Sequence, residues 1–297
     1  VVSDDVRAPG EDSSVSPETS GTDLATVEVT PRHYEPVVFA VVSDLHLDGG
    51  FEDSISQNVA ALFMDAAGRS PAPEFLAITG DLVDTLEEPL VTGDGSNVDA
   101  LKKLLALLAI PIETVLGNHD YYTDGAFIFE MTGDPTGRTS FFQDEVGVEP
   151  WYFTEHGGMR FVYLNSMYGE RVADSFGLNG SMGVEQLKWL DELLAEEIPT
   201  VLFLHHPPAT VLEDGEESLE TVVREHADAV LAIFVGHIHV WGRSEFEGVP
   251  VYITEAGYDG VGLHHVRVDG EAGTVEILNE DELDYGETVE VPCVPED

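Results

Sequence analysis

Apolar positions along the chain come in short runs that stop at polar clusters. From Val37 to Val42 every residue is apolar, as in a strand buried on both faces, and the run ends in Ser43-Asp44-Leu45-His46. The spacing predicts a helix over 54–67, then a strand over 74–79 that delivers Gly80-Asp81-Leu82-Val83-Asp84. Val98, Leu101, Leu104, Leu105 and Leu108 recur at helical spacing over 97–109, with Asn97 placed to cap that helix and Pro111 to stop it. A third strand from Ile112 leads into Gly117-Asn118-His119-Asp120. Residues 121–151 break the rhythm, setting Tyr121, Tyr122, Phe127, Phe129, Phe141, Phe142 and Trp151 among Gly and Asp turns.

Regular alternation resumes at Trp151. Segments 151–154 and 160–165 predict a hairpin around His156-Gly157-Gly158, and Val184, Leu187, Leu190 and Leu194 mark the buried face of a helix over 184–196. Strand 200–204 ends in His205-His206-Pro207-Pro208, and strand 230–235 ends in Gly236-His237-Ile238-His239. Short alternating segments at 242–247, 249–254, 263–268 and 274–279 predict antiparallel strands that finish the domain. Residues 1–35, rich in Ser, Thr, Asp, Glu and Pro, read as a flexible tail; 36–280 read as one folded domain, and 281–297 as an acidic C-terminal tail.

Composition narrows the setting. Twelve Lys and Arg against 58 Asp and Glu give a net charge of −46, which at ordinary ionic strength opposes compaction. A salt-loving, halophilic protein is expected, because at molar salt the Debye length shrinks to roughly 3 Å and distant carboxylates hardly interact. Duplex DNA is not an expected partner, since no basic stripe exists to neutralise its phosphates. Cys293 is the single cysteine, which excludes an internal disulfide and a cysteine-based metal site. No apolar run reaches the roughly 18 residues of a transmembrane segment. The cytoplasm is the favoured compartment, with export behind a removed N-terminal signal as the alternative, and the oligomeric state is not legible.

Five polar sets, Asp44/His46, Asp81/Asp84, Asn118/His119/Asp120, His205 and His237/His239, each follow directly on an apolar strand-like run. In open α/β sheets ligands bind outside the carboxyl ends of the strands, so five such ends can converge across nearly two hundred positions. Carboxylate, imidazole and amide donors suit Mn, Fe, Zn, Co or Ni, and seven of them imply two ions. Taken alone, each motif also fits a plain turn, because Asn and Asp cap backbone groups and tolerate left-handed conformations.

As an ordered set, Asp44-x-His46, Gly80-Asp81-x-x-Asp84, Gly117-Asn118-His119-Asp120, His205 before Pro207, and Gly236-His237-x-His239 resemble the motifs of the calcineurin-like metallophosphoesterases. The resemblance spans about residues 37–270. It implies an α/β fold, a four-layer αββα sandwich of two mixed β-sheets flanked by helices. It also implies that Asp44, His46 and His239 bind one divalent metal ion, that Asn118, His205 and His237 bind another, and that Asp81 bridges both. His119 is then the non-ligand that contacts the phosphoryl group and protonates the leaving group, with Asp120 orienting it. His205 is expected as the ligand in preference to His206, and Asp84 either caps a turn or holds a ligating histidine.

The implied activity is hydrolysis of a P–O bond by direct attack of metal-bound hydroxide, most naturally on a phosphodiester. Gly117-Asn118-His119-Asp120 and His205-x-Pro207, together with Val184-Glu185-Gln186-Leu187-Lys188-Trp189-Leu190 before the His205 strand, resemble the branch of cyclic-nucleotide and glycerophosphodiester phosphodiesterases, so the expected partner is a small phosphoester, a nucleotide or a glycerophosphodiester. A phosphomonoesterase or nucleotidase is the enzymatic alternative, and a non-catalytic metal-binding scaffold is the alternative of another class. His33, His156, His226, His264 and His265 fall outside the motifs and are expected to be surface or packing residues, and Arg138 a solvated turn residue.

Overall fold

The computed structural model describes residues 32–86, 95–122, 136–169, 177–213 and 217–280. The expected C-terminal tail, nearly all of the expected N-terminal tail, and Phe127, Phe129 and the side chain of Arg138 lie outside the described residues.

The apolar run before Asp44 forms β1 (Val37–Val42). It pairs in parallel with β2 (Leu76–Thr79), which pairs in parallel with β3 (Ile112–Val115). Between these strands run α1 (Ser54–Gly68) and α2 (Asn97–Leu105). Asp53 caps α1 by accepting the Ile55 N–H at 2.9 Å. Ser96, not Asn97, caps α2, accepting the Asp99 N–H at 3.1 Å. Asn97 is committed elsewhere: its amide accepts from Gly49 N at 2.7 Å and donates to the Thr85 carbonyl at 2.9 Å, tying together the segments that follow β1 and β2. The helix also stops at Leu105 instead of 109, because Pro111 disfavours helical geometry at Ile110 and the chain must straighten into β3.

After the 3₁₀ turn His119–Tyr121 and α3 (Thr136–Glu145), a helix the aromatic spacing did not predict, comes the hairpin of β4 (Tyr152–His156) and β5 (Met159–Tyr163). A two-residue strand, β6 (Gly180–Ser181), precedes α4 (Val184–Leu194) and β7 (Thr200–Phe203). The pairing partner of β6 is β8 (Val211–Leu212), followed by α5 (Leu219–Glu225) and β9 (Val230–His239). The final strands are β10 (Gly242–Phe246), β11 (Val249–Glu255), β12 (His264–Asp269) and β13 (Thr274–Ile277).

These last four do not form one antiparallel set. β10 pairs antiparallel with β11, but β11 lies parallel to β9, giving a six-stranded sheet in the order β10-β11-β9-β7-β5-β4. β12 and β13 cross to the other sheet, where β12 lies antiparallel to β1 and the order is β13-β12-β1-β2-β3. Alternation along a strand records which face is buried and not the direction of its neighbour, so this split was invisible in the pattern.

The two mixed sheets face each other across an aromatic core. Phe39 and Phe75 stack with centroids 5.1 Å apart, and Phe161, Phe203 and Phe234 each meet Phe39 edge-on. On the outer face of the first sheet, Ala40, Val42, Leu76 and Ile78 pack with Val59, Leu62 and Phe63 of α1 and Leu101 and Leu104 of α2. On the outer face of the second, Val162, Leu202, Ile233 and Val235 pack with Leu187, Leu190 and Leu194 of α4 and Val222 and Val223 of α5. Helix, sheet, sheet and helix therefore stack as the expected four layers, and β1, β2, β3, β7 and β9 run so that their carboxyl ends share one edge. Residues 33–280 belong to one compact unit. No described helix is long and apolar enough to cross a membrane.

Candidate metal centre

At that shared edge the backbone departs from ordinary strand geometry. Asp44 (φ 52°), His46 (41°), Asp81 (50°), His237 (71°) and His239 (61°) all sit in the left-handed region, and only two other described non-glycine residues do. Such conformations are costly for residues with a Cβ and persist where surrounding contacts over-determine them. Here they turn successive side chains inward from the strand ends. The last residues of β9 are themselves His237 and His239, so that pair lies on the strand and not after it.

Two glycines make room for the inward turn. A Cβ on Gly117 would collide with the Asp81 carboxylate, and one on Gly236 with the Ser43 hydroxyl and the Asp44 carboxylate. Those carboxylates are also held by backbone: His119 N donates to Asp81 Oδ1 at 2.8 Å, and His237 N to Asp44 Oδ2 at 3.0 Å. Each acid thus keeps an oxygen directed at the histidines.

All seven residues expected as ligands converge in two overlapping groups. In the first, His239 Nε2 lies 3.1 Å from both His46 Nε2 and Asp44 Oδ1, and His46 Nε2 lies 3.5 Å from Asp81 Oδ2. In the second, Asn118 Oδ1 lies 2.9 Å from His205 Nε2 and 3.0 Å from His237 Nδ1, the two histidine nitrogens are 3.2 Å apart, and His205 Nε2 lies 3.3 Å from Asp81 Oδ2. Donors bound at about 2.1 Å to one ion stand about 3.0–3.4 Å from each other, so both sets have the dimensions of a coordination shell. Asp81 Oδ2 is common to the two. Asp44, His46, Asp81 and His239 could hold one cation.

The opposite side of each ring fixes its tautomer. His205 Nδ1 lies 2.9 Å from the Thr79 carbonyl and must donate to it, which leaves Nε2 as an acceptor facing the centre. His46 Nδ1 lies 3.2 Å from Asp84 Oδ1. Asn118 donates from Nδ2 to the Tyr122 hydroxyl at 2.9 Å, which points its carbonyl oxygen inward. Tyr122 was not singled out by the motifs; its position four residues after Asn118 was the available signal. His206, in contrast, turns away, its ring bonded to Ser166 Oγ at 2.8 Å and the Gly177 carbonyl at 3.0 Å.

His119 stands outside both groups. Its Nδ1 donates to the Asp84 carbonyl at 2.8 Å and lies 3.3 Å from Asp84 Oδ1, leaving Nε2 for a ligand in the cleft. His46, Asp84 and His119 also cluster closely enough to hold a cation, but a nitrogen donating to a carbonyl cannot also be a ligand, and a hydrogen-bond network accounts for the group. Asp120 does not orient His119. Its Oδ1 accepts the N–H groups of Leu82 at 2.9 Å and Val83 at 3.0 Å, and its Oδ2 accepts that of Gly117 at 2.8 Å. Fully buried, it bolts the loop after β3 to the loop after β2, and Asp84 takes the orienting place expected of it.

Without cations the centre balances its own charge. Burial opposes ionisation of Asp44, but bonds from His239 and His46 hold it well below the usual carboxylate range. Burial likewise opposes protonation of His46, yet Asp44 and Asp84 carry it to about 10. His205 rises to about 9 against burial through Asp81, while burial and the charge of His205 push His237 down to about 4. Asp84 is lowered by its bonds to His119 and His46, and His119 is raised against burial by Asp84. Burial and the charge of Asp81 push Asp120 up to about 7. Cations entering such a site displace protons from histidines, so their uptake is linked to pH.

The open side is a cleft of about 340 Å³ lined by His46, Asp48, Ile55, Asp84, His119, His239 and Tyr258. The remaining histidines lie away from it: His156 meets Glu74, His226 meets Asp191, His265 bonds the Pro71 carbonyl, and His264 packs against Trp241.

The chain is 29% identical over 231 residues to a probable cyclic nucleotide phosphodiesterase of Synechococcus sp., covering 71% of this chain and 78% of that protein. It is 26% identical to a 3',5'-cyclic-nucleotide phosphodiesterase of Nostoc sp., covering 69% and 72% respectively. Among solved structures, purple acid phosphatase PPD1 from yellow lupin seeds (Lupinus luteus) superposes with a TM-score of 0.50 at 15% identity, covering 82% of this chain and about half, 53%, of that one, a likeness of fold. Residues 37–241, which carry every strand end of the centre, match the model of the calcineurin-like phosphoesterases, and the chain belongs to that family.

Proposed function

We propose that this phosphoesterase is a dinuclear-metal phosphodiesterase that hydrolyses cyclic nucleotides. The observation that carries the dinuclear reading is the position of Asp81 Oδ2, 3.5 Å from His46 Nε2 and 3.3 Å from His205 Nε2, one oxygen facing two complete donor sets. Asp44, His46 and His239 would hold one cation and Asn118, His205 and His237 the other, with Asp81 placed to serve both. Imidazole, carboxylate and amide donors without thiolate suit Mn, Fe, Zn, Co or Ni. When bound, two such ions supply Lewis acidity to the phosphoryl group and activate water at neutral pH.

The chain's own residues do the rest. Asn118 contributes an oxygen without negative charge, which keeps the centre attractive to a phosphate ester. Asp84 raises the pKa of His119 and engages its Nδ1, so in the protonated ring it is Nε2 whose proton can pass to the leaving oxygen. The net charge of −46 supports adaptation to high salt. A panel of 3',5'-cyclic AMP, a linear diester and a phosphomonoester, run with Mn at high salt, tests the reading. Preference for the cyclic diester is expected; preference for the monoester would replace it with a phosphomonoesterase.

A further inference from the structure

Tyr258 brings the only six-membered ring among the residues described as lining the cleft. It sits on the short turn Gly257–Asp259 between β11 and β12, and that turn is fastened to the metal-facing loop itself. Tyr258 N donates to the Asp44 carbonyl at 3.2 Å, Gly257 N to the Ser43 carbonyl at 2.8 Å, and Asn58 of α1 donates to the Tyr258 carbonyl at 3.0 Å. A Cβ on Gly257 would press into the Ser43 carbonyl, so the turn lies flush against the strand end. The Tyr258 ring makes T-shaped contacts with His46, centroids 5.5 Å apart, and with His239, centroids 5.6 Å apart.

Around that ring the cleft changes character. Ile55, half-buried at the start of α1, gives an apolar wall; Asp48 and Asp84 supply carboxylates, and no Lys or Arg is among the described lining residues. Carboxylates accept hydrogen bonds from N–H and O–H groups and repel phosphates beyond the one at the centre. An aromatic ring beside an apolar side chain suits a flat partner, since stacking of a base on such a ring is worth about 1–3 kcal/mol. The volume, about 340 Å³, is at the small end of ligand sites, roughly 300–1,000 Å³.

We infer that Tyr258 and Ile55 seat the base of a nucleotide substrate; this rests on the phosphodiesterase reading above. A ring flanked by carboxylates also has the chemistry to hold a quaternary ammonium group, and choline esters are therefore the discriminating comparison. The test uses Tyr258→Leu and Tyr258→Phe in Mn-loaded protein. Kinetics are measured with 3',5'-cyclic AMP and glycerophosphocholine, and calorimetric binding with adenosine 5'-monophosphate and phosphocholine. Tyr258→Leu is expected to raise KM for cyclic AMP and Kd for the adenosine nucleotide on the order of tenfold more than the corresponding choline values, with Tyr258→Phe retaining the wild-type ratio. Equal effects on both pairs, no effect, or a larger effect on the choline pair would overturn the inference. A wild type that turns over neither diester would remove the phosphodiesterase reading, while the two binding measurements would still decide the role of Tyr258.

Discussion

A single oxygen of Asp84, Oδ1, lies 3.2 Å from Nδ1 of His46, and the same atom lies 3.3 Å from Nδ1 of His119. One carboxylate thus sets the tautomer of a residue in the metal-facing group and braces the residue proposed to act on substrate. Asp84→Ala takes that shared acceptor from both nitrogens. Metal affinity is expected to fall roughly 10–100-fold, the usual cost of losing such a supporting bond, and kcat to fall further at saturating metal. Calorimetric Mn titration with turnover at excess Mn checks this; unchanged affinity and unchanged kcat would show that Asp84 only shapes the turn.

Asp120 makes the opposite prediction. Its carboxylate accepts three buried backbone N–H groups from two loops, so Asp120→Ala leaves all three without a partner. Each such loss costs about 1–3 kcal/mol, and metal-free Asp120→Ala is expected to be destabilised by several kcal/mol in urea unfolding. His119→Ala, which removes a half-exposed ring, is expected to unfold near the wild-type midpoint while losing turnover. An Asp120→Ala protein of wild-type stability that is merely inactive would return Asp120 to the role of orienting His119.

That reversal shows what the sequence could and could not carry. The apolar runs before Asp44, Asp81, Asn118, His205 and His237 were legible because buried parallel strands need unbroken hydrophobic stretches. Adjacency misled at Asp120, whose partners Leu82 and Val83 stand 38 and 37 positions away. It misled again at Asn97, where Ser96 next door supplies the cap and the amide bridges two distant loops. Tyr122 and Tyr258 carry no motif of their own, and their places follow only from how the turns fold back against the strand ends.

His264 gives a pH dependence independent of the centre. Its ring is buried at the start of β12, 4.3 Å from Trp241, and neither nitrogen has a hydrogen-bond partner. Burial, reinforced by the charge of Arg243, lowers it to about 3. The unfolded chain takes up a proton near pH 6.5 while the folded chain does not, so this contribution is intact above about pH 6.5 and is lost toward pH 3 at up to about 1.4 kcal/mol per unit. In His264→Phe the stability of metal-free protein is expected to decline less steeply over that window. Parallel acid limbs for the two proteins would show that His264 does not contribute.

With 58 acidic residues against 12 basic ones, repulsion should dominate at low ionic strength. Melting temperature is expected to rise between about 0.1 M and about 3 M KCl, most of the gain coming as the Debye length shortens. A melting temperature independent of salt, followed by circular dichroism, would contradict adaptation to a saline environment.

The shared oxygen of Asp81 makes the sharpest demand, because two donor sets built around it call for two ions acting together. Metal-free protein titrated with Mn while cyclic AMP hydrolysis is followed should remain nearly inactive at low loading and reach its plateau at two equivalents per chain. A plateau at one equivalent, or full activity without metal, would contradict the dinuclear account.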